Sequence, residues 1–376
     1  MVQESYDVAI VGGGVMGCAI AYQLTKAGKK VVVVERNTMG SEASRAAAGI
    51  LGAQAEIDEE GPLRAFALES RALFPAFVEE LKTYTGIDVQ LNQKGVIKPA
   101  RSQEEAVKLK HKVMEYRDWD AEVRWLDRDQ LHDLEPLASE NLVGGMYLPN
   151  DGQLHAAYFA EALAVACRNV GVHMKSYCQV YRFLLDRNAV KGVITSAGTI
   201  LAEQVIVTSG AFTKHLLPDV QVYPVKGECI SVCADRPLLT HTLFVDEGCY
   251  LVPKAGNRIV IGATKVAHDF SKQVTAGGIL FLLEKAKSLL PTIEQTTFED
   301  SWSGLRPQSG DGLPYMGEHP DYRGIYVASG HYRNGILLSP ATGKYMADLV
   351  LGKKVPAYIH DSFRLDRKSV DMEGIK

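Results

Sequence analysis

Apolar positions along the first thirty-five residues change their spacing twice. Residues 6–11 (Tyr-Asp-Val-Ala-Ile-Val) form an apolar run that predicts a buried strand. A glycine turn, Gly12-Gly13-Gly14-Val15-Met16-Gly17, follows at once. The spacing then predicts a helix over 18–26, which offers Ala19, Ala21 and Leu24 to a sheet and ends at Gly28. Residues 30–34 predict a second strand, and Glu35 stands at its end.

Further along, helical spacing recurs over 63–83, 104–117, 156–168, 276–290 and 343–351. Strands are expected at 95–99 and 144–148. A denser set follows at 180–185, 190–195, 199–202 and 205–208. Asp186-Arg187-Asn188 and Ala197-Gly198 are hairpin signals between them. A second strand-rich block covers 222–226, 228–233, 250–254 and 258–263, with Gly256-Asn257 as a turn. The chain then returns to a strand at 324–328, a glycine loop over 329–335 and an apolar stretch over 336–338. The fold expected is α/β, with a mainly antiparallel β (α+β) domain inserted into a discontinuous Rossmann-type domain. The borders expected are 1–85, 145–215 and 305–376 for the first domain, and 86–144 and 216–304 for the second.

The opening unit carries chemistry. Gly12 permits a tight turn, Gly14 lets backbone N–H groups approach a pyrophosphate, and Gly17 lets helix and strand pack closely. The helix N-terminus faces the phosphates with its positive dipole end. Glu35 can accept hydrogen bonds from ribose hydroxyls. The competing reading is a glycine turn in an ordinary βαβ unit. A second run of small residues, 40–52, would let backbone lie against a bulky planar ligand; it also suits a tightly packed helix start.

Composition narrows the field. With 41 Lys+Arg against 45 Asp+Glu, the net charge of −4 argues against a general nucleic-acid or anionic-membrane binder. No apolar run approaches a membrane span, and Glu4 and Asp7 stand where a secretory leader would be basic. Cys18, Cys167, Cys178, Cys229, Cys233 and Cys249 form no C-x-x-C pair and no zinc spacing. No metal is expected, and the chain reads as a cytoplasmic protein with reduced core thiols.

The chain resembles the glycine oxidases of the D-amino-acid oxidase and sarcosine oxidase superfamily of flavoproteins. The likeness runs nearly end to end. It rests on the glycine motif with Glu35, Ala46-Ala47-Ala48-Gly49, Pro224-Val225-Lys226-Gly227-Glu228, Tyr250-Leu251-Val252-Pro253, Trp302-Ser303-Gly304-Leu305-Arg306-Pro307, and Gly330-His331-Tyr332-Arg333-Asn334-Gly335-Ile336. Carried over by position, the resemblance puts Val15, Met16, Glu35, Arg36, Ala43, Ser44, Ala48, Gly49, Ile50 and Val180 at FAD. It puts His331, Tyr332, Arg333, Asn334, Gly335, Ile336 and Leu337 beside the isoalloxazine, and assigns the substrate carboxylate to Arg306, with Tyr250 and Arg333 completing the pocket. It further implies a homotetramer and a supply of product to thiamine thiazole synthesis.

The chemistry of these residue types agrees. A guanidinium grips a carboxylate at two points and thereby fixes the adjoining carbon. Arg306 could also form a structural salt bridge, and Tyr250 could simply pack in the core. The implied reaction passes hydride from the α-carbon of glycine, sarcosine or a small D-amino acid to flavin N5. The imine hydrolyses to the 2-oxo acid, and O2 reoxidises the flavin to give hydrogen peroxide. Two departures stand out. Gly248 replaces a larger polar residue, which would open the pocket mouth. No cysteine follows Cys249, so a C-terminal covalent tether is excluded and FAD is expected to be noncovalent. Lys265 is a nearby cation without an assigned task. The competing functions are a D-amino-acid dehydrogenase with a quinone acceptor and a noncatalytic FAD-binding module.

Overall fold

The computed structural model describes residues 5–246 and 248–367. The outer ends of the expected first domain, 1–4 and 368–376, lie outside the described residues.

Two sheets organise the chain. The first runs Tyr315–Glu318, Ile325–Ser329, Gly198–Val207, Ser5–Val11, Val31–Val34, His173–Lys175. Its centre is parallel: Ala9 is paired with Val205 on one side and Val32 on the other. Strands of this kind are covered on both faces, which is why Val31–Val34 is valine throughout and fully buried. The hairpin Val180–Asp186 and Ala189–Thr195 extends from Gly198–Val207. The helices Val15–Lys26, Pro62–Thr85, Ala156–Asn169 and Gly335–Val350 share one apolar core against this sheet.

The second sheet has nine strands in the order Val266–Ala267, Val222–Cys233, Arg258–Gly262, Cys249–Lys254, Thr242–Val245, Val96–Ala100, Gly144–Leu148, Arg124–Leu126, with Thr297–Ser309 on Val222–Cys233. All its pairings are antiparallel except that of Thr242–Val245 with Val96–Ala100. The helix Ala276–Leu289 buries Leu282, Ala286 and Leu289 against Ile230, Leu251 and Ile261. Ile50–Leu51 pairs with Gly152–Gln153 as a short ribbon.

Three expectations are corrected. The border at 144/145 falls inside Gly144–Leu148, and the border at 304/305 falls inside Thr297–Ser309; both strands belong wholly to the second sheet, so Arg306 does too. The strands expected at 222–226 and 228–233 are one, because Gly227 stays in register opposite Gly304. The helix expected from 343 begins at Gly335 and continues through Pro340. Proline leaves the carbonyl four residues back without its donor. That carbonyl belongs to Ile336, and the Ser339 hydroxyl donates to it at 2.9 Å. Among the described residues no helix is long and apolar enough to cross a membrane.

Candidate functional site

One cavity runs between the two sheets, with Gly12 and Glu35 at one end and Tyr250 and Arg306 at the other.

The glycine end is built for close backbone approach. Gly12 has φ +112°, and a Cβ there would sit 2.6 Å from the Thr208 carbonyl oxygen. A Cβ on Gly17 would sit 2.0 Å from the Gly12 carbonyl oxygen, so only glycine allows this helix to meet this turn. Gly17 therefore acts through packing and does not line the cavity, whereas Gly12, Gly14, Val15 and Met16 do. The first turn of Val15–Lys26 leaves N–H groups without intrahelical partners at the cavity floor. The Ser44 hydroxyl accepts one of them, from Val15, at 3.0 Å.

Glu35 is buried and lines the cavity. Its Oε2 accepts from Gly13 N at 2.8 Å and its Oε1 from Asn37 N at 2.9 Å. An ionised carboxylate has about four acceptor positions, so two backbone bonds orient it and leave capacity for a ligand. Arg36 pairs with Glu42 at 3.0 Å, and its guanidinium carbon lies 3.6 Å from the centre of the Phe212 ring. Val180, Ala43, Ala48, Gly49 and Ile50 line the same cavity. A cradle of glycines, a helix N-terminus and a seated carboxylate fit the adenosine and pyrophosphate part of FAD.

At the other end, the strand Thr297–Ser309 carries Arg306 into the cavity. Its Nη1 donates to the Thr264 carbonyl at 3.2 Å. Among the described residues no carboxylate lies within ion-pair distance of Arg306. Trp302 on the same strand donates Nε1 to Ala46 O at 2.9 Å, tying this strand to the helix Ala43–Ala46. Tyr250 is 8% exposed, and its Oη lies 3.5 Å from Cys229 Sγ. Burial pushes its phenol well above the ordinary range; Cys229 adds to this and Arg306 opposes it. Tyr250 thus stays protonated and can donate.

Arg333 differs from Arg306. Its Nε is 2.8 Å from Glu56 Oε2, at an angle poor for a hydrogen bond, and the side chains are 18% and 7% exposed. Its charge is already matched. His331 lines the cavity, with Nε2 3.2 Å from Thr342 Oγ1, and burial pushes its imidazole down to about 3, so it is neutral. Tyr332, Gly335 and Ile336 also line the cavity. Asn334 and Leu337 do not: Leu337 is buried in the first core, and its carbonyl accepts the Ser70 hydroxyl. Gly248 does not line the cavity either; its φ of +89° makes glycine the backbone's choice there.

The sequence reading missed Glu56, Cys229 and Phe212. Cys229 shows no signal because its position depends on Tyr250, two strands further along the sequence. Glu56 follows a loop with no periodicity. The Lys265 ammonium is pushed down by the protein packed around it and then by Arg333 and Arg306, so these cations share one region.

Residues 7–349 match the model of the family described as FAD dependent oxidoreductase. The glycine oxidase of Geobacillus kaustophilus is 50% identical over 354 residues, covering 93% of this chain and 94% of that protein. That of Bacillus licheniformis is 40% identical over 370 residues, covering 97% and 98%. The crystal structure of glycine oxidase from Geobacillus kaustophilus superposes with a TM-score of 0.94 at 48% identity, over 97% of this chain and 100% of that one. With the cavity built as it is and likeness of this extent, the chain belongs to the FAD dependent oxidoreductase family and, within it, to the glycine oxidases.

Proposed function

We propose that the protein oxidatively deaminates glycine, and also sarcosine and small D-amino acids, with FAD in the cavity and O2 as the electron acceptor. One observation carries this reading: Arg306 reaches the cavity beside Tyr250 without a carboxylate partner among the described residues. A guanidinium held by one backbone carbonyl keeps donors for a substrate carboxylate. Tyr250, protonated, supplies another donor to the same group. FAD, when bound, supplies the hydride acceptor and passes electrons to oxygen.

The chain's residues set up that chemistry by position and charge. Two-point binding by Arg306 fixes the α-carbon. Arg306 and Lys265 make the region positive, since the charge of Arg333 is matched by Glu56. A positive surrounding disfavours an ammonium and favours the neutral amine that the reaction requires. Neutral His331 adds no charge. Gly12, Gly14, Val15, Met16, Glu35, Arg36, Ala43, Ser44, Ala48, Gly49, Ile50 and Val180 hold the cofactor, with His331 to Ile336 at its ring except Asn334. The first sheet is read as the FAD-binding layer and the second as the substrate layer. No tether is expected: Cys229, the cysteine lining the cavity among the described residues, is engaged with Tyr250. A cytoplasmic homo-oligomer, a tetramer, completes the reading, and light scattering checks its mass.

The test is an anaerobic titration of the FAD-loaded protein. Glycine should bleach the flavin, and air should then restore it with one peroxide per turnover. A flavin that no small amine bleaches removes the proposal. Bleaching without peroxide in air replaces the oxidase with a dehydrogenase.

A further inference from the structure

Lys254 ends the strand Cys249–Lys254, which carries Tyr250. Side chains alternate along a strand, so Tyr250, Val252 and Lys254 share one face. Tyr250 and Val252 pack in one apolar cluster with Ala48 and Ile50. Lys254 continues that face with an ammonium. Its Nζ donates to Ala48 O and to Leu154 O, each at 2.7 Å, and to Gln153 Oε1. All three donors of the ammonium are used.

The acceptors come from the wall of the FAD cavity and its support. Ala48, Gly49 and Ile50 line the cavity. Gly49 has φ +81°, and a Cβ there would sit 2.0 Å from Leu154 O, so the loop lies directly on residue 154. Leu154 N donates to Gly49 O at 2.9 Å. Gln153 in turn donates Nε2 to Pro253 O at 2.9 Å, back onto the strand of Lys254. Three backbone segments therefore meet at one ammonium. Burial pushes that ammonium down to about 7, and among the described residues no carboxylate pairs with it. A part-buried cation without an anion is costly to desolvate, and a methionine would fill the space at less cost.

We propose that Lys254 is a positioning residue: by holding the carbonyls of Ala48 and Leu154 it fixes the flavin-facing loop at a set distance from Tyr250. The inference rests on the reading of the cavity as an FAD site with glycine bound between Arg306 and Tyr250. Arg306 lies on another strand, Thr297–Ser309, and does not touch Lys254's acceptors. Loss of Lys254 should thus loosen FAD and misalign the reacting pair while leaving carboxylate binding intact.

The experiment compares Lys254→Met, Lys254→Gln and Lys254→Arg with the wild type. FAD affinity is read by quenching of flavin fluorescence, and glycine kcat and KM are read at saturating FAD. For Lys254→Met the FAD Kd should rise and kcat fall by about tenfold or more each, with KM within about threefold, the scale of one charge-assisted hydrogen bond. Lys254→Arg, which keeps charge and donors, should recover most of both. If the Met protein does not fold, Lys254→Gln, with two N–H donors, decides the matter by the same split. The proposal is overturned if the folded Met or Gln protein binds FAD and turns over as wild type, or if KM rises as much as kcat falls. Bleaching of the wild type by glycine tests the underlying function separately.

Discussion

The guanidinium of Arg306 lies against the backbone of Gly227, so closely that a Cβ at 227 would sit 2.3 Å from both Nη1 and Nη2. The two residues are diagonal neighbours: Arg306 is opposite Val225, and Gly227 is opposite Gly304. Glycine at 227 is thus the seat on which the proposed carboxylate ligand lies.

Gly227→Ala should displace Arg306 without disturbing the distant dinucleotide cradle. Misplacing a positioning group by about 1 Å costs on the order of a hundredfold in rate. We expect kcat/KM for glycine to fall by about that factor while FAD still binds. A variant with wild-type glycine kinetics would show that the guanidinium has room to spare.

Arg306→Ala removes the ligand itself. Truncating one partner of a buried charge pair costs about 2–5 kcal/mol, or roughly 30-fold to several thousand-fold. The loss should appear chiefly in the KM for glycine, with FAD binding retained. Steady-state kinetics with glycine, beside flavin fluorescence, separates the two; an unchanged KM would take Arg306 out of the site.

The opening unit of the fold was readable because its signals are local. Gly12, Gly14 and Gly17 sit at fixed offsets between an apolar run and a helix, and Gly12 and Gly17 are explained by atoms of the same turn or at the end of the adjoining strand, while Gly14 faces Ser44. Arg306 was readable for a different reason: it stands in a distinctive motif after Trp302. Its strand was not. Thr297–Ser309 shows no apolar alternation and is set by pairing with Val222–Cys233, far away in sequence. The same holds for Glu56, whose meaning comes only from Arg333. Leu337 fell next to a true cavity residue, Ile336, but the helix turns it into the core.

The Glu56–Arg333 pair is a test of charge matching at the cavity wall. Removing one partner of a buried pair leaves the other uncompensated and costs about 3–5 kcal/mol. Glu56→Gln should therefore lower the stability of the FAD-free protein by up to that amount, read from urea unfolding. It should also add a free cation to the site and tighten the binding of simple carboxylates such as acetate. A variant as stable as wild type would mean that water screens the pair.

His331 gives the pH test. Its folded imidazole is held at about 3 by burial, below its ordinary 6.5. Between those values the unfolded chain binds a proton that the folded chain refuses. The sign follows: stability from this group is complete above pH 6.5 and is lost as pH falls toward 3. The limiting slope is about 1.4 kcal/mol per pH unit. Asp151, pushed up to about 6 by burial, and Lys254, pushed down to about 7, titrate in the same range, so the reading is the difference between wild type and a variant that lacks only the His331 imidazole. His331→Gln can keep a polar contact to Thr342 and cannot take up the proton. Urea unfolding of the FAD-free proteins from pH 7 to 5 should therefore show wild type losing stability faster than the variant, by about 1 kcal/mol per unit at the lower end. Parallel curves would mean that His331 accepts a proton in place, and the neutral cavity wall assigned to it would have to be given up.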